Sequence, residues 1–267
     1  MNERKLSELS PKRILKGIIR RIKNIPHEYL WTFSNKAQKN KEELKKFKNI
    51  HKGERCFLIC NGPSLKKTNI NLFKNEFSFG LNRIYLNYPN MDFEPNYIAC
   101  INNLVLGQFA EDFSKQKMPL FLNWNSRNKF DENSNIHFIG KGFKMNEFSK
   151  DISKSIAPVG AVTYAALQMI YYMGFTEVII VGMDHNFHFS GKPNESQKRE
   201  EDNDINHFVP NYFPKGSKWE TPDLVSSEYY YNIAKEQFNN DNRIIYDATI
   251  NGKCDIFVKR DLETFFS

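Results

Sequence analysis

Cysteine is scarce: four residues in 267, Cys56, Cys60, Cys100 and Cys254, with no CxxC pair among them. That spacing excludes a disulfide-stapled scaffold, a zinc ribbon and a thioredoxin-type redox pair, and with three of the four inside apolar runs it predicts reduced core thiols. Long apolar runs are missing as well. Nothing approaches the roughly 18 residues that a membrane-crossing helix needs, and the N-terminus lacks the apolar core of a secretory signal, so the expected location is the cytoplasm. There is no GxxxxGK[ST] and no GxGxxG, which removes the P-loop and the dinucleotide fingerprint. Disulfide miniproteins and repeat solenoids do not fit the length and composition.

What is there is an ordinary globular composition, 40% hydrophobic, 14% aromatic and 26% charged. It is enough for one large α/β domain or two small ones, with a sizeable core. The net charge of +7 is unevenly placed: residues 1–50 hold 14 Lys and Arg against 5 Asp and Glu, while the rest is slightly acidic. A nucleic-acid reader is expected to carry its positive field on the folded domain, so no nucleic-acid partner is expected. Within PKRILKGIIRRIKNIPHEYLW, Ile14, Leu15, Ile18, Ile19 and Ile22 recur at helical spacing among Lys12, Arg13, Lys16, Arg20, Arg21 and Lys23. This predicts a basic amphipathic helix broken before Pro26. Through residues 12–31 it suits an anionic membrane surface, with Tyr29 and Trp31 as interfacial anchors, or it packs on its own domain or another subunit. Residues 36–50 read as a polar, helix-prone spacer. The organisation expected is a basic helical extension over 1–50 and one α/β domain over 51–267, with a lid near 188–220.

From Gly53 onward, short apolar runs recur: RCFLIC (55–60), FSFGL (77–81), YIACI (97–101), PLFLN (119–123), IHFIG (136–140), EVIIV (177–181) and RIIYD (243–247). Several are apolar throughout, as in strands covered on both faces. GAVTYAALQMIYYMG reads as a helix stopped by Gly174 just before EVIIV. The alternation predicts a Rossmann-like, mainly parallel sheet with helices on both faces, in which ligands bind beyond the carboxyl ends of the strands. Those ends are amide-rich: Asn61-Gly62-Pro63-Ser64, Asn82, Asn102-Asn103, and Gly182-Met183-Asp184-His185. Asn offers a donor and an acceptor on one short side chain, which suits a base edge and ribose hydroxyls, although Asn is also favoured in turns. In the NGPS turn, Gly62 permits close approach of backbone to ligand, Pro63 fixes the turn, and Ser64 can cap a following helix whose free amides favour a phosphate. The turn predicts a nucleotide phosphate without predicting ATP chemistry.

CFLICNGPSL, the Asn82 turn, GAVTYAALQMIYYMGFTEVIIVGMDHNF, HFVPNYF and YDATINGKCDIF together resemble the DUF115 proteins over about residues 53–265. That group includes Maf glycosyltransferases and 6-hydroxymethylpterin diphosphokinases, and is related to the bacterial family 42 sialyltransferases. The resemblance implies a CMP site at Asn61, Gly62, Pro63, Ser64, Asn82 and Asn103, with Thr163, Gly182 and Asp184 lining the same pocket. It also departs from the sialyltransferases: aligning the loop after the GxD strand puts Asn211 at the position of their general base, with His207 four residues earlier. The His185–His188 stretch replaces their phosphate-contacting tyrosines, and no Arg precedes the GAVT helix to hold a sugar carboxylate.

An inverting transferase needs a base for the acceptor hydroxyl and a group to stabilise the departing phosphate. His207, near Asp202 and Asp204, is the base candidate, set against a surface histidine in a charged loop. His185 and Tyr212 are the candidates for donating to the leaving group, and His188 and His137 are structural. Asp202-Asn203-Asp204 spells DxD, but inside a hydrophilic run it reads as a solvated lid, so no metal ligand is assigned.

The resemblance therefore implies an inverting, metal-independent glycosyltransferase. Its donor would be a CMP-linked, sialic-acid-like sugar, and its acceptor a glycan, a lipid-linked molecule or a protein in lipopolysaccharide or capsule synthesis, on or near the inner face of the cytoplasmic membrane. No cofactor beyond the donor is expected, and an oligomer is compatible with the sequence. Two alternatives stand beside it: a diphosphotransferase that uses Mg²⁺ and ATP, and a non-catalytic nucleotide-sugar binding subunit.

Overall fold

Cys56 to Ile59 are wholly buried on both sides of the chain, the condition under which an all-apolar run becomes a central strand rather than an alternating edge. A computed structural model describes residues 11–142, 146–157 and 161–267. In chain order its elements are α1 (Pro11–Phe33), α2 (Asn35–Lys45), β1 (Arg55–Ile59), β2 (Phe77–Leu81), β3 (Tyr97–Cys100), α3 (Asn103–Gln108), α4 (Ala110–Ser114), β4 (Leu120–Asn123) and β5 (Ile136–Ile139). They continue as α5 (Val162–Met173), β6 (Glu177–Val181), β7 (Ser196–Lys198), β8 (Lys218–Glu220), α6 (Leu224–Asn240), β9 (Ile244–Asp247) and β10 (Val258–Lys259).

Eight strands form one parallel sheet in the order β10-β9-β6-β1-β2-β3-β4-β5, with helices around it. This is the Rossmann-like α/β architecture expected from the strand and helix alternation. All seven apolar runs are strands; the two-residue β10 and the hairpin β7–β8 carry too little apolar signal to be read in advance. The chain steps outward from β1 to β5 and then returns to place β6 on the other side of β1. The order therefore reverses between β1 and β6, which opens a crevice at their carboxyl ends.

α5 is buried along its whole length from Thr163 to Met173, so it is a core helix. It ends where Gly174 turns left-handed at φ 98°. Its last carbonyls are taken by the loop after α2, where Asn49 N–H donates to Tyr172 O and His51 N–H to Met173 O. The four cysteines are free and buried, as their spacing predicts.

The N-terminal segment departs from expectation in three ways. α1 runs through Pro26 rather than breaking before it. Pro26 is exposed, so water can satisfy the Ile22 carbonyl that loses its helical partner. Trp31 is not an interfacial anchor: it is buried, its indole N–H donates to Lys154 O, and its ring meets Trp124 edge-on.

The third departure is α2, which is no spacer, since Ala37 and Leu44 are fully buried. Asn40 also pairs with the free edge of β5, accepting from Phe138 N–H at 2.7 Å and donating to Phe138 O at 2.7 Å. A side chain thus satisfies the backbone groups of an edge strand that would otherwise invite another chain. A boundary at residue 50 would cut this packing. Among the described residues no helix is long and apolar enough to cross a membrane. The basic residues before Pro11, and the side chains of 11–18 and 20, lie outside the described part.

Candidate active site

A cleft of about 270 Å³ opens at the β1/β6 reversal. The turns after β1 and β6 build its floor, and they are clasped to each other. Gly62 N–H donates to Gly182 O at 2.8 Å, and Asp184 takes both the Ser64 backbone N–H (3.0 Å) and the Ser64 hydroxyl (2.7 Å). The anion at the start of the NGPS turn is therefore the protein's own. Pro63–Lys66 is a single 3₁₀ turn in which the Ser64 amide holds Asp184 rather than waiting for phosphate, and neither Pro63 nor Ser64 lines the cleft.

The glycine at 62 has the same cause. A Cβ there would stand 1.9 Å from Asp184 Oδ2, so the close approach is to a carboxylate of the protein as well as to the cleft. Gly182 turns with φ 72°, with Cys60 O 3.0 Å from where a Cβ would be, which reserves that corner for glycine.

Asn61 and Asn82 line the cleft, each with a carboxamide oxygen that is buried and without a hydrogen-bond partner among the described groups. Asn61 is 9% exposed; its Nδ2 donates to Leu81 O, which fixes the amide. Asn82 sits in the left-handed region at φ 46°, a conformation Asn tolerates and turns favour. An unpaired buried acceptor costs free energy, which makes both residues candidates for pairing with a donor from outside the chain. Asn103, by contrast, is exposed, and its oxygen accepts from Ser126 Oγ. Asn102 takes its place in the lining while capping α3 through Leu104 and Val105 N–H.

Thr163 contributes to the wall at the start of α5, where the N-cap residue Ala161 offers no side-chain cap. The first turn of a buried twelve-residue helix thus borders the cleft, and a helix N-terminus is an anion-favouring end. Beneath it, burial pushes the Cys60 thiol up to about 12, so it stays protonated at neutral pH.

The segment after β6 forms the outer wall. Phe208 N–H donates to Asn61 O, and Asn206, itself buried, grips the His188 backbone through both its amide atoms. These contacts bring His207 to the cleft. Its Nδ1 lies 2.9 Å from Asp204 Oδ2, and its ring stacks on Tyr212 at 4.0 Å and 2°. Burial alone would raise the Asp204 carboxyl, but the His207 hydrogen bond and charge, the Asn206 amide and Arg199 outweigh it and hold the group below its usual value. Asp204 is thus a buried carboxylate orienting an imidazole rather than one end of a solvated DxD. Its neighbour Asp202 accepts from Lys215 N–H.

Asn211 is exposed and outside the lining. Tyr212 is 1% exposed, its hydroxyl taken by Arg83 N–H, and burial drives its pKa up. That arrangement makes it the platform under His207 and leaves it poorly placed to donate. His185 is buried at φ 53°, with Nε2 3.0 Å from Glu228 Oε1. Trp219 from β8, Asp223 at the N-cap of α6, and Tyr230 and Tyr231 within α6 join the lining. The sequence reading missed them; a tryptophan inside an otherwise hydrophilic run was the one available signal. No lysine or arginine occurs among the described lining residues.

The profile of the 6-hydroxymethylpterin diphosphokinase MptE-like family matches residues 32–189. The chain belongs to that family. The match spans α2 through β6, including both floor turns, and ends before His207. A Maf glycosyltransferase of known structure from Magnetospirillum magneticum AMB-1 is similar at 14% identity and a TM-score of 0.49. The similarity covers 85% of this chain and 38% of that one, so this member of the family spans well under half of that protein's length. No curated protein matches the sequence.

Proposed function

We propose that the cleft binds a nucleotide-activated sugar, CMP-linked, and that the protein transfers the sugar to an acceptor hydroxyl with inversion. The observation that carries this reading is the Asp204–His207 pair at the cleft wall, 2.9 Å apart, with the imidazole braced on Tyr212. Asp204 on Nδ1 leaves Nε2 to take the acceptor's proton. As the acceptor oxygen forms its bond to the anomeric carbon, the bond from that carbon to the phosphate oxygen breaks, and the nucleotide monophosphate leaves with the electron pair. The amides at the start of α5, where Ala161 offers no side-chain cap, offset its charge, and His185, held by Glu228, is the imidazole near the β6 turn.

The unpaired oxygens of Asn61 and Asn82 favour a ligand presenting donors, as an exocyclic base amine and ribose hydroxyls do. A single phosphate suits a cleft whose described lining contains Asp184, Glu220 and Asp223 but no cationic side chain other than histidine. A triphosphate would meet these carboxylates without a counter-charge. The second reading, a Mg²⁺-dependent diphosphotransferase, draws on the family's description and on Glu220 and Asp223 as carboxylates at the cleft.

A thermal-shift series with CMP, UDP, GDP and ATP, each with and without Mg²⁺, separates the readings. Stabilisation by cytidine nucleotides without metal is expected, amounting to about 2.7 kcal/mol at a hundredfold excess over Kd. A shift with ATP and Mg²⁺ alone transfers the site to the second reading.

A further inference from the structure

We propose that α1 docks the protein on an anionic lipid surface, with its outer face lying in the interface and its inner face bolted to the domain. The bolt is specific. Trp31 is buried against Trp124, Trp124 Nε1 donates to His27 O at 2.9 Å, Asn125 Nδ2 donates to Asn24 Oδ1, and Arg127 meets His27 at 3.0 Å. Asn24, His27 and Trp31 therefore share the face turned to the protein.

The opposite face is apolar and bare: Ile19 is 43% exposed, Ile22 59%, Ile25 58%, Tyr29 62%, Leu30 37% and Phe33 66%. At 3.6 residues per turn these six span an arc of roughly 140°, with Arg21 on one flank and Lys23 on the other. A helix fixed to its domain by one face, yet leaving this much contiguous apolar surface to water, is built to be covered.

Charge selects what covers it. Residues 1–50 carry 14 Lys and Arg against 5 Asp and Glu, in a chain whose remainder is slightly acidic. A second copy meeting this face across a two-fold axis would set two such basic segments against each other, whereas an anionic bilayer satisfies both the apolar arc and its basic flanks. The position also fits. α1 is bolted to residues that follow β4, on the carboxyl rim of the parallel sheet, the rim from which the β1/β6 cleft opens. A protein docked this way presents its cleft edge near the lipid headgroups.

The test is flotation of the full chain with vesicles of phosphatidylcholine alone and of phosphatidylcholine with phosphatidylglycerol. Wild type is expected to bind the anionic vesicles at least about tenfold more tightly, with the preference fading at ~0.5 M salt. Ile22→Asp/Ile25→Asp/Phe33→Asp is expected to lose binding by about tenfold or more without a change in Tm, because the three side chains are solvent-exposed in the fold. Arg21→Glu/Lys23→Glu is expected to lose the preference for anionic lipid by a similar factor. Equal vesicle binding by wild type and the triple variant overturns the proposal. So does a wild type that ignores both vesicles but sediments as a dimer which the triple variant converts to monomer; the arc is then a subunit interface.

Discussion

Asp204 Oδ2 and His207 Nδ1 stand 2.9 Å apart, three residues from each other in a stretch otherwise dense in exposed charge, and the carboxylate of the pair is 3% exposed. A surface histidine would have no buried, ionised carboxylate assigned to one ring nitrogen. His207→Ala is therefore expected to keep nucleotide affinity and lose about 10²- to 10⁴-fold in kcat, measured with product formation and binding assayed in parallel. Asn211→Ala should turn over normally. Normal turnover by His207→Ala beside an inactive His185→Ala would move the base to the turn after β6.

Asn61 and Asn82 line the cleft, and each has a buried carboxamide oxygen without a partner among the described groups. Asn82→Gly removes the carboxamide while keeping a residue comfortable at φ 46°, and should weaken nucleotide binding about 5- to 100-fold with little change in Tm. Titration calorimetry with CMP checks it, and unchanged affinity would detach Asn82 from the ligand.

Gly62 and Asp184 are coupled by contact. Gly62→Ala places a methyl group 1.9 Å from Asp184 Oδ2 and 2.7 Å from Gly182 O, and should cost about 1–3 kcal/mol. Asp184→Ala relieves the first clash but not the second. A denaturation cycle over both sites should therefore show a coupling above about 0.5 kcal/mol. Strict additivity would mean that the turns are not clasped through this carboxylate.

His137, packed against Phe47 and Phe121, has its pKa pushed down to about 4 by burial. The unfolded chain binds this proton near 6.5, so the stability from keeping the ring neutral is complete above that pH. It drains away as pH falls toward 4, by at most about 3 kcal/mol. Urea melts across this window should show a steeper loss for wild type than for His137→Gln; parallel slopes would refute the assignment.

Asn40 completes the edge of β5 with two hydrogen bonds. Asn40→Ala strips both from a strand edge and should lower stability by about 1–3 kcal/mol, together with faster amide exchange at Phe138.

The alternation of all-apolar runs with helical stretches was enough to give the parallel sheet, because strands covered on both faces need little except continuous hydrophobicity. From that class alone followed the carboxyl edge as the place for a ligand, and Asn61, Gly62, Asn82, Gly182 and His207 all line one cleft there. What a residue does at that edge depends on its neighbours, and those arrive from far along the chain. Asp184, 120 residues from Ser64, turned a predicted phosphate cradle into an internal clasp. Ser126 drew Asn103 away and left the lining to Asn102.

The same division holds at the N-terminus. Amphipathic spacing marked a helix with an apolar stripe, but Trp31 carries no mark saying whether it meets lipid or Trp124, and polar α2 hid the side chain that would cap an edge strand. Periodicity and composition are local and additive, and the sequence by itself determines them. Partner choice in buried polar networks depends on distances that exist only once the sheet has brought its strand ends together, so the tertiary structure alone decided which carboxylate orients the imidazole and which carboxamide oxygens are left unpaired among the described groups.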